Sequence, residues 1–152
     1  MIREMTKKDL DSVVDLYKDA NKFTNKNNIL NWTKKDLDNF PKYHLVFEKG
    51  HKILGAISGI ILRKGVASIE DIAIYKFYRG RGIGSELVRN LINRFKKEWV
   101  KRVKLWVHWT DAQAIPFYYK HGFKIIRFQK TKNIKDVPDG EDILILERIL
   151  SQ

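Results

Sequence analysis

The sequence predicts an α/β fold of the α+β kind: a central mixed, mostly antiparallel sheet of about seven strands with four helices, in the order β-α-α-β-β-β-α-β-α-β-β. Three observations predict it. Ser85–Trp99 places Leu87, Val88, Leu91, Ile92, Phe95 and Trp99 at helical spacing, with Arg89, Asn93, Lys96 and Lys97 on the opposite side. Strand-like runs, Val66–Tyr75 and Val103–Trp109, flank that helix. This strand-helix-strand unit implies one parallel pair inside the sheet. The remaining strands come in adjacent pairs joined by turn-rich segments, the pattern of antiparallel neighbours.

Taken in order, Ile2–Met5 reads as a short strand. Thr6 follows as an N-cap, with Asp9 at the capping-box position, ahead of Leu10, Val13, Val14 and Tyr17 at helical spacing. A second helix is expected from Thr33, with Leu37 and Phe40 inward and Pro41 closing it. Tyr43–Glu48 and Lys52–Arg63 form strands around a Lys49-Gly50 turn. After the central unit, Ala112–Lys120 makes a short helix that stops before Gly122. Phe123–Gln129 and Asp142–Ile149 make the last strand pair, joined by the polar segment Lys130–Glu141.

Composition bounds the function. The 152 residues fit one domain, 1–152, and 43% hydrophobic content supplies a sizeable core. The absence of cysteine excludes disulfides, thiolate metal sites and a cysteine nucleophile. His44, His51, His108 and His121 are too scattered to argue a metal site. No apolar run follows Met1-Ile2-Arg3-Glu4, and the longest apolar stretch, Ile53–Leu62, is broken by Gly55, Ser58 and Gly59. The expectation is a soluble cytoplasmic protein with no membrane partner. The net charge of +12 reads as a Lys-rich surface or an attraction to anions. No zinc finger, basic zipper or RNA-recognition motif accompanies it, so no nucleic-acid partner is expected.

The segment Tyr78-Arg79-Gly80-Arg81-Gly82-Ile83-Gly84-Ser85 joins a strand to the clearest helix. Its glycines leave backbone N–H groups accessible, and a helix start adds unpaired donors and a positive dipole end. Together these make a phosphate cradle, with charge from Arg79 and Arg81. A Walker loop would need Gly-Lys-Ser/Thr, and Gly84-Ser85 lacks the lysine. A dinucleotide fingerprint, G-x-G-x-x-G, ends at Ser85 or Leu87 instead of glycine.

The spacing Arg79-x-x-Gly82-x-Gly84 resembles the R/Q-x-x-G-x-G/A signature of the GNAT superfamily of N-acetyltransferases. A second family block, N-x-x-A-I-x-F-Y-x-K-x-G-F, is matched from Ala114 through Ile115, Phe117, Tyr118, Lys120 and Gly122 to Phe123. The departure is Asp111 where asparagine is usual. The resemblance implies that acetyl-CoA is the co-substrate, with no metal. Its pantetheine arm would lie on the Ile72-Ala73-Ile74 backbone and its pyrophosphate on Arg79–Ser85, including Ile83. Asp111 and Tyr118 would also meet the cofactor. An ionised Asp111 accepts hydrogen bonds only, where asparagine also donates, and the residue is equally an N-cap for the Ala112 helix.

Acetyl transfer needs a neutral amine, a donor for the departing thiolate and N–H groups for the oxyanion. Tyr118 resembles the family's acid; its neighbour Tyr119 reads as structural. Glu70 resembles the glutamate that some members use to activate the amine. Glu70 and Asp71 are adjacent on a strand, so strict alternation puts them on opposite sides, Glu70 with Ile72 and Ile74. His108 reads as aromatic packing beside Trp106 and Trp109, and His121 as a helix-end charge, although either is a base by chemistry.

The family's acceptor groove would lie between Asp19–Trp32 and Gln129–Glu141, with Phe23 and Trp32 as walls. The net charge disfavours polycations and suits neutral amines, acidic peptides or protein N-termini. The acceptor is thus a small-molecule amine or a peptide or protein amine. The alternative is a non-catalytic module binding coenzyme A or another anion. The edge of the final strands suggests a homodimer.

Overall fold

The structure, a computed structural model, describes residues 1–21, 23–134 and 137–151. Lys22, Lys135 and Asp136, which fall in the expected groove segments, lie outside the described residues, as does Gln152. The described elements are β1 (Ile2–Glu4), α1 (Leu10–Ala20), α2 (Lys26–Asn39), β2 (His44–Lys49), β3 (Lys52–Arg63), β4 (Val66–Ile74), α3 (Ile83–Lys97), β5 (Arg102–His108), α4 (Ala114–Lys120), β6 (Lys124–Lys130) and β7 (Asp142–Ile149). Short 3-10 turns precede α1, β2 and α3. The seven strands form one sheet, ordered β1-β2-β3-β4-β5-β7-β6. Every pairing is antiparallel except β4 with β5. No described helix is long and apolar enough to cross a membrane.

Strand alternation assigns the two faces. Leu45, Ile57, Ala67 and Leu105 pack with Leu87, Leu91 and Phe95 of α3. Val46, Ala56 and Ala73 turn the other way, against Val13, Tyr17, Ile29 and Leu37 of α1 and α2. The α3 helix lies close on β3 because Gly55 and Gly59 carry no side chain. A Cβ at Gly59 would stand 2.8 Å from the Phe95 ring.

Several expected boundaries move. Asn25 is the N-cap of α2, its side chain accepting from Asn28 N–H at 2.9 Å. The helix therefore starts seven residues before Thr33, and Ile29, Thr33 and Leu37 form its buried stripe. Thr6 and Asp9 do pair, through Thr6 N–H and the Asp9 carboxylate at 2.8 Å, but around a 3-10 turn that leads into α1. At the far end of α3 the chain turns out at Trp99, which has φ +61 and is 71% exposed. Val100, not Trp99, fills the core there. Likewise α4 begins at Ala114 with Gln113 before it, so Asp111 caps no helix and sits in a turn.

Candidate active site

Three rungs decide the position of the site. β4 and β5 pair only at Val66–Arg102, Ala67–Val103 and Ser68–Lys104. Beyond Ser68 they part, and the β5-facing edge of Ile69–Ile74 has no strand partner among the described residues. The opening is a cleft of about 720 Å³ bounded by β4, β5, the end of α1 and the start of α4. Ile72, Ala73 and Ile74 form one wall, and Asp111 and Tyr118 stand across from them.

At one end of the cleft lies the glycine loop. Gly80 and Gly82 have φ of +77 and +86, and Gly82 is the residue from which α3 starts. The first intrahelical bond runs from Glu86 N–H to Gly82 O, leaving the N–H groups of Ile83, Gly84 and Ser85 ahead of it. Arg79 is braced: its Nε donates to Ile74 O at 3.0 Å and its Nη2 meets Asp19 Oδ2 at 2.9 Å. The Arg81 guanidinium lies 4.8 Å from the Tyr78 ring centre. Gly84 borders the cleft, where Phe117 packs against it. The Ser85 side chain turns inward instead, 2.9 Å from His121 Nε2. Free helix N–H groups, a dipole end and two arginines fit a pyrophosphate, and the open β4 edge fits an amide-bearing arm.

The strand alternation expected at Glu70 and Asp71 fails, and the register gives the reason. Ser58 pairs with Asp71, while Gly59 pairs with Ile69. Glu70 is therefore an extra residue, a β-bulge. Ile69 faces α3 below the bulge, and Ile72 and Ile74 face it above. Asp71 is thereby turned to the α1 side, opposite Ser58, whose hydroxyl is 2.7 Å from Tyr17 Oη. Glu70 is exposed and accepts from Ser68 Oγ at 2.7 Å. Both carboxylates line the cleft. Burial, then the charges of Glu70 and Asp36, push the Asp71 carboxyl up to about 8.

Tyr118 is buried, with its ring against Phe117 and Phe123. Its hydroxyl makes no hydrogen bond among the described residues and borders the cleft. Burial, followed by Asp111 and Asp71, raises its pKa well above the usual phenol value. Tyr119, expected to be structural, is 51% exposed and outside the core. His108 lines the cleft near Phe23, with ring centres 5.1 Å apart. Thr110 N–H donates to its Nδ1, so Nε2 carries the proton toward Glu141 Oε2 at 3.0 Å. It is thus a polar, oriented group rather than packing alone. His121 is buried, and burial with Arg89, Lys120 and Arg148 keeps its pKa low, so it is not a helix-end charge. Phe23 lines the cleft and Trp32 does not.

Sequence reasoning placed Asp19 in the groove and missed Tyr17 and Asp71 as cleft residues. Tyr17 comes from α1, forty and more residues before β4, and only Asp71 had a signal, its place beside Glu70.

The family model of the acetyltransferase (GNAT) family matches residues 10–123. The chain belongs to this family. It is 32% identical over 139 residues to an uncharacterised N-acetyltransferase of Methanocaldococcus jannaschii, covering 81% of this chain but only 60% of that protein. It is 31% identical over 151 residues to a Bacillus subtilis protein described as a candidate ribosomal-protein-bS18-alanine N-acetyltransferase, covering 95% of this chain and 92% of that one. Among solved structures, Ard1 from Thermoplasma volcanium superposes with a TM-score of 0.86 at 24% identity, covering 100% and 98% of the two chains. Naa50 of Arabidopsis thaliana, in complex with the bisubstrate analogue CoA-Ac-MVNAL, gives 0.80 at 20%, covering 99% and 98%. These two likenesses speak to the fold. By family the chain is an acetyl-CoA-dependent N-acetyltransferase.

Proposed function

We propose that the chain acetylates the α-amino group of a peptide or protein by direct attack of the amine within the β4–β5 cleft. The observation that carries this reading is the pair of titratable groups the cleft brings together, Asp71 on the α1 side and Tyr118 on the α4 side. The names of relatives that act on ribosomal-protein alanine support a protein acceptor.

Bound acetyl-CoA supplies an acetyl thioester at the mouth of the splay. The N–H groups of Ile83, Gly84 and Ser85 and the guanidinium groups of Arg79 and Arg81 hold the pyrophosphate. The backbone of Ile72–Ile74 orients the arm, and Asp111 faces it from the turn after β5.

The incoming amine arrives protonated at neutral pH, since its ordinary pKa is about 8 for an α-amine. A base of similar strength removes that proton most effectively. Asp71, raised to about 8, matches it, whereas Glu70 is exposed and serves by raising its neighbour. The base role expected at Glu70 is therefore assigned to Asp71. Asp71 passes the ammonium proton to solvent before attack; the new N–C bond then forms as the C–S bond breaks, the nitrogen sheds its second proton by the same route, and coenzyme A leaves as the thiolate. A free thiol has a pKa near 8.5, below that of Tyr118, so complete proton transfer from the phenol runs uphill. Tyr118 acts by donating a hydrogen bond to the sulfur as its charge develops.

The test is thiol release from acetyl-CoA with alanine-initiated peptides across pH. Wild-type kcat/KM should rise on a limb near pH 8, and Asp71→Asn should lose that limb while still binding acetyl-CoA. An unchanged limb in Asp71→Asn together with its loss in Glu70→Gln would return the base to Glu70.

A further inference from the structure

The end of the sheet farthest from the cleft gathers positive charge from separate segments. The β3–β4 turn brings Arg63 and Lys64, the end of α3 brings Lys96 and Lys97, and the connection into β5 brings Lys101 and Arg102. The N–H groups of Lys101 and Arg102 both donate to Gly65 O, at 2.8 and 3.1 Å, so these segments meet. The acids of this end already have cations: Glu98 lies 3.0 Å from Lys42 and Glu147 lies 3.6 Å from Arg102. Arg63, Lys64, Lys96, Lys97 and Lys101 have no ion pair among the described residues.

Trp99 stands among them. Its N–H donates to Lys96 O and the Val100 N–H to Phe95 O, both at 3.1 Å. That pair of bonds closes a helix in the way that ordinarily uses glycine at the position Trp99 holds. At φ +61 the residue adopts a backbone conformation that its Cβ resists. With 71% of the residue exposed, the indole contributes little to the core. The negative end of the α3 dipole accounts for Lys96 and Lys97. It accounts neither for Arg63 and Lys64, which come from a strand turn, nor for a strained indole held in water.

A flat exposed ring among unneutralised cations suits a single-stranded nucleic acid, whose bases stack on the ring while its phosphates meet the ammonium and guanidinium groups. The chain carries no nucleic-acid-binding motif, so the placement of these side chains carries the argument, and the net charge of +12 gives the surrounding field the same sign. A second copy of this chain would bring like charge to the surface. An acidic polypeptide would use the cations and leave the indole unused. A lipid surface calls for a contiguous apolar face. Leu62 and Ile149 are exposed nearby, but Ile149 pairs with Arg102, and alternation from the buried Val103 turns that pair away from α3, so the three apolar side chains do not form one face. Unstacked bases are displayed chiefly by the loops and bulges of folded RNA.

We propose that the surface around Trp99 holds a single-stranded stretch of RNA. It lies at the opposite end of α3 from the glycine loop, so an RNA bound there leaves the cleft open. The inference does not rest on the reading of the cleft as the transfer site.

The experiment is fluorescence anisotropy of a labelled, unstructured RNA of about twelve nucleotides, titrated with the full chain. The wild type should bind it at low salt, with affinity falling steeply as salt rises. Trp99→Gly supplies the residue that this helix end ordinarily uses, so melting temperature should hold or rise while RNA affinity drops roughly fivefold or more. The double variant Arg63→Gln/Lys64→Gln should lower the slope of log affinity against log salt by about one. Lys34→Gln/Lys35→Gln removes the same charge from the exposed side of α2 and should change affinity by less than about twofold. No binding by the wild type, unchanged affinity in Trp99→Gly, or equal losses in the two double variants overturns the proposal. Equal or tighter binding of polyglutamate, of phosphatidylserine vesicles or of single-stranded DNA of the same sequence also overturns it, and names a different occupant. Thiol release with alanine-initiated peptides should be the same in Trp99→Gly as in the wild type; slower transfer in that variant would overturn the separation of this surface from the cleft.

Discussion

Ser85 Oγ and His121 Nε2 lie 2.9 Å apart in the interior, joining the first turn of α3 to the residue that ends α4. His121 stays neutral in the fold because burial and the cations Arg89, Lys120 and Arg148 oppose its protonation. In the unfolded chain it takes up a proton below about pH 6.5. The unfolded state then holds more protons, so stability present at neutral pH declines as pH falls through that value. His44, buried with no partner for its Nε2 among the described residues, is depressed by burial and adds in the same direction. Melting temperature should fall between pH 7 and 5.5 in the wild type. The His121→Gln difference curve should be flatter, leaving the His44 part.

Asp71 has the opposite sign. Its folded pKa is raised to about 8, against an ordinary value near 3.9. Between those values the native state holds the extra proton, so this residue's contribution worsens as pH rises. Asp71→Asn should therefore be more stable than wild type at pH 8 and closer to it at pH 4. Thermal melts at the two pH values read this directly, and a wild type equally stable or better at pH 8 would contradict the burial of an uncompensated carboxyl.

Gly82 starts α3 with φ +86, a conformation that costs a residue with a side chain about 1–2 kcal/mol. Gly82→Glu adds a negative charge where the pyrophosphate is to sit. Acetyl-CoA affinity should drop at least tenfold by calorimetry, and unchanged affinity would rule the loop out as the cofactor site.

Tyr118→Phe keeps the ring and removes the hydroxyl proposed to donate to the thioester sulfur. Single-turnover acetyl transfer should slow by roughly two orders of magnitude. Acetyl-CoA binding and melting temperature should hardly change, since the hydroxyl has no described hydrogen bond to lose. Tyr119→Phe, on the exposed side, should transfer at the wild-type rate. Slower transfer in Tyr119→Phe than in Tyr118→Phe would reverse the assignment.

Gly59→Ala would set a methyl 2.8 Å from Phe95 and 3.2 Å from Leu91. Overpacking of this kind typically costs about 1–3 kcal/mol. Chemical denaturation should show that loss, and an unchanged midpoint would mean that α3 shifts freely on β3.

What the sequence made legible follows from how local each signal is. The α3 stripe, the glycine loop and the strand runs are patterns within twenty residues, and they appear where expected. The start of α2 was hidden because Lys26-Asn27-Asn28 carries no apolar periodicity; Asn25 caps it, and Ile29 declares itself only by packing on α1. The bulge at Glu70 was invisible because it is a property of the β3–β4 register, not of the β4 sequence. One extra residue sets Ile69 on the α3 side together with Ile72 and Ile74 and leaves Asp71 facing α1, so the alternation read from the sequence breaks at Glu70. His108 was legible as a candidate, but Glu141, which orients it, lies across the long final connection.

The three rungs between β4 and β5 also make the sheet a pair of plates riveted at one corner. β1–β4 carry α1 and α2, and β5, β7 and β6 form the second plate; past Ser68 no backbone rung ties one to the other. A pantetheine arm laid along Ile72–Ile74, as proposed, would supply the missing rungs from outside the chain. Cofactor loading would then be a mechanical event as well as a chemical one. Amide hydrogens of the unpaired β4 edge and of Val107 and His108 should exchange more slowly together once acetyl-CoA is present, while those of the distant β1–β2 ladder keep their pace. The acceptor would meet a stiffer groove than the free protein offers, giving an order to binding, nucleotide first and amine second, that arises from the seam in the sheet.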